Sequence, residues 1–148
     1  MQPTTMPAAP ESAAPTLDAS ATRRWTDRLW LGALAAYWLI LFAATHVPAP
    51  EMIATPVLNH DKLIHASAYF VLTTLMLLAW RRPGGLLAGR SRLVIAAIAI
   101  AYGAFDETTQ PYFNRVGDLA DWFADSIGVV LAIGFDRWRK GGDSNDAQ

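Results

Sequence analysis

The sequence predicts an all-α integral membrane protein, a four-helix bundle with disordered N- and C-terminal tails. Three observations carry this reading. Four candidate spans of about 18–20 residues recur, each near the length that crosses a bilayer, although the purely apolar stretches of the third and fourth, Leu93–Phe105 and Ser126–Phe135, are short; Pro or Gly punctuates the gaps. Lys and Arg gather at alternate gaps. Polar residues within the runs recur at helical spacing.

Composition agrees. Of 148 residues, 53% are hydrophobic and only 17% charged, against roughly 25% in ordinary soluble chains. The 6 Trp suit anchoring at a membrane interface. A net charge of -1 supplies no basic field, so no nucleic-acid partner is expected. Cys is absent, which excludes disulfides, thiolate metal sites and a cysteine nucleophile.

Residues 1–24 are rich in Pro, Ala, Ser and Thr and are read as a disordered tail. The first span is Asp27–Thr45. Its apolar run, Leu29–Thr45, is about 17 residues, longer than the 7–15 of a signal-peptide core, so it is expected to stay as a membrane helix. Pro48, Pro50 and Pro56 follow it. The second span is Asp61–Trp80, closed by Pro83-Gly84-Gly85. The third is Arg92–Gln110, ended by Pro111, and the fourth is Asp118–Arg137, after Gly117. Residues 25–140 thus form one membrane domain, and residues 141–148 read as a second tail. The pairs Gly32/Ala36 and Ala99/Gly103 place small residues one turn apart, where helices can approach closely.

Direction follows from charge. Arg23, Arg24 and Arg28 precede the first span; Arg81, Arg82, Arg90 and Arg92 surround the second connection; Arg137, Arg139 and Lys140 follow the fourth span. The first and third connections hold only Lys62 and Arg115. Positive residues mark the cytoplasmic side, so both termini are expected there.

Two polar stretches interrupt the apolar spans. One is Asp61-Lys62 with His65 and Tyr69; the other runs from Asp106-Glu107 and Gln110 through Arg115, Asp118, Asp121 and Asp125. Ionisable groups are costly in hydrocarbon and persist mainly when they face one another or a wet cavity. At 1.5 Å per residue from Arg81, Tyr69 stands about 18 Å and His65 about 24 Å along its helix. From Arg92, Asp106 stands at about 21 Å and Gln110 at about 27 Å. Counting back from Asp136, Asp125 stands at about 16 Å, Asp121 at about 22 Å and Asp118 at about 27 Å. The matching heights predict one polar funnel, open to the outside.

Faces agree as well. Asp61, His65 and Tyr69 form an i, i+4, i+8 stripe; Asp118, Asp121, Asp125 and Gly128 form another; Asp106 and Gln110 are i, i+4. Gly128 would let a neighbouring helix come close. Carboxylates crowded at low dielectric cannot all ionise unpaired. Asp125, the deepest, is expected to be protonated or ion-paired, and His65 beside an acid to favour imidazolium. Asp61 and Asp118 are each equally well explained as helix caps, Lys62 as an interfacial residue and Tyr69 as aromatic packing. His46, His60 and Glu51 read as loop residues without a special role.

At these residues the chain resembles the VanZ-like family of small bacterial membrane proteins. The resemblance rests on Asp61-Lys62-x-x-His65-x-x-x-Tyr69, on Glu107-x-x-Gln110, and on Arg115-x-x-Asp118-x-x-Asp121-x-x-x-Asp125-x-x-Gly128. It covers Leu29 to about Phe135. Asp125 departs from it, since many members carry Asn there. The resemblance implies the bacterial cytoplasmic membrane and a cell-envelope role; the namesake is associated with low-level resistance to the glycopeptide teicoplanin.

Three functions remain open from sequence. The first is a binding or envelope-modulating protein whose ligand-binding set is Asp61, Lys62, His65, Tyr69, Asp106, Glu107, Gln110, Arg115, Asp118, Asp121 and Asp125. Its partners would be the lipid bilayer and an envelope lipid, a peptidoglycan precursor or a glycopeptide. The second is an intramembrane enzyme acting on a lipid-linked substrate, with His65 and Asp121 as acid–base groups. The third is a proton or ion pathway. No P-loop, nucleophile-elbow or HExxH pattern is present, the sequence leaves any cofactor unknown, and no metal-ligand motif is assigned, although carboxylates with His65 could hold a divalent ion.

Overall fold

The computed structural model describes residues 19–47, 58–81 and 89–145. They form four helices: α1 (Ala19–His46), α2 (Leu58–Ala79), α3 (Gly89–Thr109) and α4 (Leu119–Asn145). A 3-10 turn, Gln110–Phe113, follows α3. No strand occurs among the described residues. Pro48, Pro50, Glu51, Pro56, Arg82 and Pro83-Gly84-Gly85 lie outside them, as do residues 1–18 and 146–148.

Both tail readings need correction at their inner edges. Residues 19–24 belong to α1, and residues 141–145 continue α4. Ala and Arg are good helix formers, so Ala19-Ser-Ala-Thr-Arg-Arg extends the first helix beyond its apolar run. The extension of α4 crosses Gly141 and Gly142, which cost about 1 kcal/mol each relative to Ala.

α2 is the hub. It packs most extensively on α4 and also meets α1 and α3. Its buried face supplies Leu72, Met76 and Leu77, which join Ile95 and Ala99 of α3 and Val129 of α4 in the core. Gly128 explains the closeness of α2 and α4. A Cβ there would overlap the Ala66 carbonyl oxygen and stand 2.9 Å from the Phe70 amide nitrogen. Gly103 does the same for α3: an added carbon would stand 3.3 Å from Trp122 and 3.4 Å from Tyr69. Gly32, by contrast, meets nothing within 4 Å, so no described helix uses the Gly32/Ala36 pair.

The α3–α4 connection is tightly specified. Pro111 cannot continue an α-helix, so the chain tightens into the 3-10 turn. Asn114 closes that turn at φ 56, a left-handed conformation that Asn tolerates better than most residues. At Gly117 a Cβ would overlap the Glu107 carbonyl oxygen, so the returning chain lies directly against the end of α3. Asp118 then caps α4, its Oδ1 accepting the Ala120 N–H at 2.8 Å. Asp61 is not a cap: α2 begins at Leu58, which puts Asp61 in the first turn, where the helix dipole favours an acid.

At the opposite end, buried Asp136 takes Arg81 Nη2 at 3.0 Å and Arg92 at 3.1 Å (Nε) and 3.0 Å (Nη2). This knot joins α2, α3 and α4. It stands about 24 Å from His65 along α2.

Two helical segments, Arg24–His46 and Asp61–Ala79, are long and apolar enough to cross a membrane. α3 and α4 carry Asp106 and Glu107, and Asp121, Asp125 and Asp136, within their lengths.

Close contact at Gly128 has a measurable consequence. Gly128→Ala is expected to lower the unfolding free energy of the purified protein by about 1–3 kcal/mol. Gly32→Ala should leave it within about 0.5 kcal/mol. Equal effects in denaturant unfolding would show that α2 and α4 do not meet at Gly128.

Candidate functional site

Helix periodicity puts Asp61, His65 and Tyr69 on one stripe of α2, and the close pass at Gly128 turns that stripe toward α4. His65, half-buried, is the meeting point. Its Nδ1 lies 3.1 Å from Asp125 Oδ1 and 3.9 Å from Glu107 Oε1. Its Nε2 lies 3.9 Å from Asp121 Oδ2. One imidazole therefore faces three carboxylates carried by two other helices.

Two of the three carboxylates, Asp121 and Glu107, are held from behind. Asp121 Oδ1 accepts from Lys62 Nζ at 2.6 Å, and the same ammonium reaches Asp118 Oδ2 at 3.1 Å. Lys62 thus belongs to the site rather than to the interface alone. Glu107 Oε1 accepts from Gln110 Nε2 at 3.1 Å, and its Oε2 accepts the Asp118 backbone N–H at 2.8 Å. The second of these bonds depends on the Gly117 turn. Asp125 is wholly buried; its Oδ1 lies at hydrogen-bond distance from His65, while its Oδ2 has no hydrogen-bond partner. Tyr69 is also wholly buried; it stacks on Tyr102 with centroids 6.1 Å apart, and its hydroxyl has no partner.

Asp106 is placed elsewhere than its stripe suggested. It forms a second branch with α1, where Thr45 Oγ1 donates to Asp106 Oδ1 at 2.7 Å and His46 Nδ1 stands 3.5 Å from the same oxygen. Its i+4 neighbour, Gln110, interacts with it and also donates to Glu107 Oε1 at 3.1 Å. Gln110 thus stands between Glu107 and Asp106, within reach of both carboxylates.

His46 overturns its reading as a loop residue. It ends α1, is buried, stacks on Phe42 at 4.0 Å and places Nε2 2.8 Å from Thr109 Oγ1. Its Nδ1 lies 2.9 Å from the Phe42 carbonyl oxygen and 3.0 Å from Thr45 Oγ1. Thr45 was not singled out either. The available signal was the helical register of Thr45-His46 at the end of the first apolar run. Glu51 and the His60 side chain lie outside what is described.

A cavity of about 290 Å³ lies between α1 and α2. Tyr37, Ile40, Leu41, Ala44, Ile64 and Ala68 give it apolar walls. Asp61, His65, Tyr69 and Arg115 give it a polar end. Asp61 is exposed, and Arg115 Nη1 donates to the Val47 carbonyl at 3.3 Å. His65 and Tyr69 are therefore shared between the cavity and the carboxylate cluster.

The arrangement can do several things chemically. A His–carboxylate pair at a cavity wall can transfer protons. The cavity can accept an apolar chain with a polar head. A scan of family models and searches of curated proteins and solved structures find no match for this chain.

Lys62 and Asp121 offer a direct energetic test. In a double-mutant cycle of Lys62→Met with Asp121→Asn, the unfolding free energies are expected to show coupling of about 0.5–3 kcal/mol. Additivity within about 0.3–0.5 kcal/mol would show that the two side chains do not interact.

Proposed function

We propose that this chain is a four-span protein of the bacterial cytoplasmic membrane whose outward-facing polar site binds or modulates a cell-envelope component or a glycopeptide, in the manner suggested by its VanZ-like motifs. Membrane residence is supported by an inverted distribution of polarity. Leu39, Ile40, Leu63, Ile64, Leu93 and Val130 are exposed while Asp106, Glu107, Asp121 and Asp125 are buried. Only 17% and 28% of the two most apolar windows are buried, as expected if hydrocarbon covers the remainder. The Lys and Arg asymmetry supports cytoplasmic termini, which turns the His65 end outward.

The observation that carries the binding reading is the cavity. Its walls match an apolar chain and its end presents Arg115, His65 and Asp61 to a polar headgroup. The His65–Asp125 contact favours a second reading, an enzyme on a lipid-linked substrate with His65 as its acid–base group. An ion pathway has less support, because Leu72, Met76, Leu77, Ile95 and Val129 fill the interior deeper than Asp125.

Single cysteines in this Cys-free chain report direction. An impermeant thiol reagent is expected to reach Ala54→Cys and Asn114→Cys from outside, but not Gly85→Cys; labelling of Gly85→Cys alone would place the site in the cytoplasm. Function is read in a deletion strain by susceptibility to envelope-directed antibiotics. His65→Ala and Asp121→Asn are expected to fall to the level of the deletion at normal protein abundance, with Glu51→Gln indistinguishable from wild type. Full complementation by both site variants would leave the network a structural polar core.

A further inference from the structure

We propose that His65, Glu107 and Asp125 bind one divalent metal ion of the Zn²⁺ or Mn²⁺ class. One ligand atom from each of the three lies within 4.8 Å of the others. Metal–ligand bonds of about 2.1 Å set neighbouring ligands about 3.0–3.4 Å apart in tetrahedral or octahedral geometry. The Nδ1–Asp125 separation of 3.1 Å already falls in that range, and the Nδ1–Glu107 separation of 3.9 Å needs only a small closure.

Proximity of acids is not the whole argument. Asp125 is 0% exposed, yet its Oδ2 has no hydrogen-bond partner. The Tyr69 hydroxyl, one turn below His65 on the same stripe, is likewise fully buried and unpartnered. Both side chains converge on the bare α-carbon of Gly103: a carbon added there would stand 3.2 Å from Asp125 Oδ2 and 3.4 Å from Tyr69 Cε1. A buried lone pair and a buried hydroxyl left without partners are each costly. A cation with its bound water answers both.

Charge balance points the same way. Lys62 is engaged by Asp118 and Asp121. With His65 neutral, as a ligand must be, Glu107 and Asp125 together match a charge of two. The surrounding groups are those that orient metal ligands. Asp121 faces the remaining ring nitrogen of His65, and Gln110 with the Asp118 N–H holds Glu107. One imidazole with two carboxylates favours Zn²⁺ or Mn²⁺ over the purely oxygen-seeking Mg²⁺ and Ca²⁺. The alternative set Asp61, His65 and Asp121 is less apt, because Asp61 is exposed and Asp121 already holds Lys62. The inference rests on the site described for the envelope reading, but its measurement is independent of that role.

The test uses the purified full chain, stripped with a chelator and titrated calorimetrically with Zn²⁺ and with Mn²⁺. One ion per chain is expected for at least one of the two, with protons released on binding at pH values where His65 is charged. His65→Ala, Glu107→Gln and Asp125→Asn should each weaken binding by roughly 100-fold or more. Asp27→Asn, far from the site in α1, should not. Saturating metal should also raise the melting temperature of the wild type, a readout that survives misfolding of any variant. Absence of both saturable binding and a melting shift overturns the proposal, as does binding that the three site variants leave unchanged. A susceptibility phenotype that persists without metal binding would sink this inference alone; metal binding without a phenotype would sink the envelope reading alone.

Discussion

Three carboxylates from two helices crowd the single imidazole of His65, and the remaining architecture follows from satisfying them. A charge taken out of water costs several kcal/mol even after relaxation, so each acid needs a partner at short range. The 3.1 Å approach of His65 to Asp125 is possible only because α2 and α4 nearly touch backbones at Gly128. Glu107 needs the α3–α4 connection to fold straight back. Pro111, left-handed Asn114 and side-chain-free Gly117 make that return, and the Asp118 N–H arrives 2.8 Å from the Glu107 carboxylate. Local backbone chemistry and long-range electrostatics thus specify the same geometry.

A second ionic device closes the far end, where Asp136 takes Arg81 and Arg92 at once. Leu72, Met76, Leu77, Ile95 and Val129 fill the interior between the two devices. The bundle is therefore clamped at both ends of α2 around an apolar middle, and motion within it is expected mainly where contacts are sparse. That place is the α1 side, where the cavity lies and α1 meets α2 more extensively than α3.

Much of this was legible in the sequence because helices convert spacing into depth and direction. Depth counted from Arg81 put His65 at about 24 Å, and depth counted from Asp136 put Asp121 at about 22 Å; the two side chains stand 3.9 Å apart. Gly128 was legible as a close pass and Asp118 as a cap. The pairing of particular side chains was not. Periodicity joins Asp106 to Gln110, but it does not state that Gln110 also donates to Glu107 or that Thr45 donates to Asp106. His46 precedes Val47 and Pro48, so it read as loop, although its ring is held by Phe42 and Thr109. Arg81, Arg92 and Asp136 were useful as depth markers. That they bind one another depends on how three helices are rotated, which no single helical pattern states.

The central claim is that the two polar motifs form one site. Cysteines introduced at positions 65 and 121 of the otherwise Cys-free chain test it most directly, with a short bifunctional thiol reagent applied to native membranes. Rapid intramolecular crosslinking is expected for the 65/121 pair and none for a 65/136 pair, whose positions belong to opposite clamps. Failure at 65/121 in protein that is abundant and reactive at each cysteine singly would contradict the account, because α2 and α4 would then not bring His65 and Asp121 together.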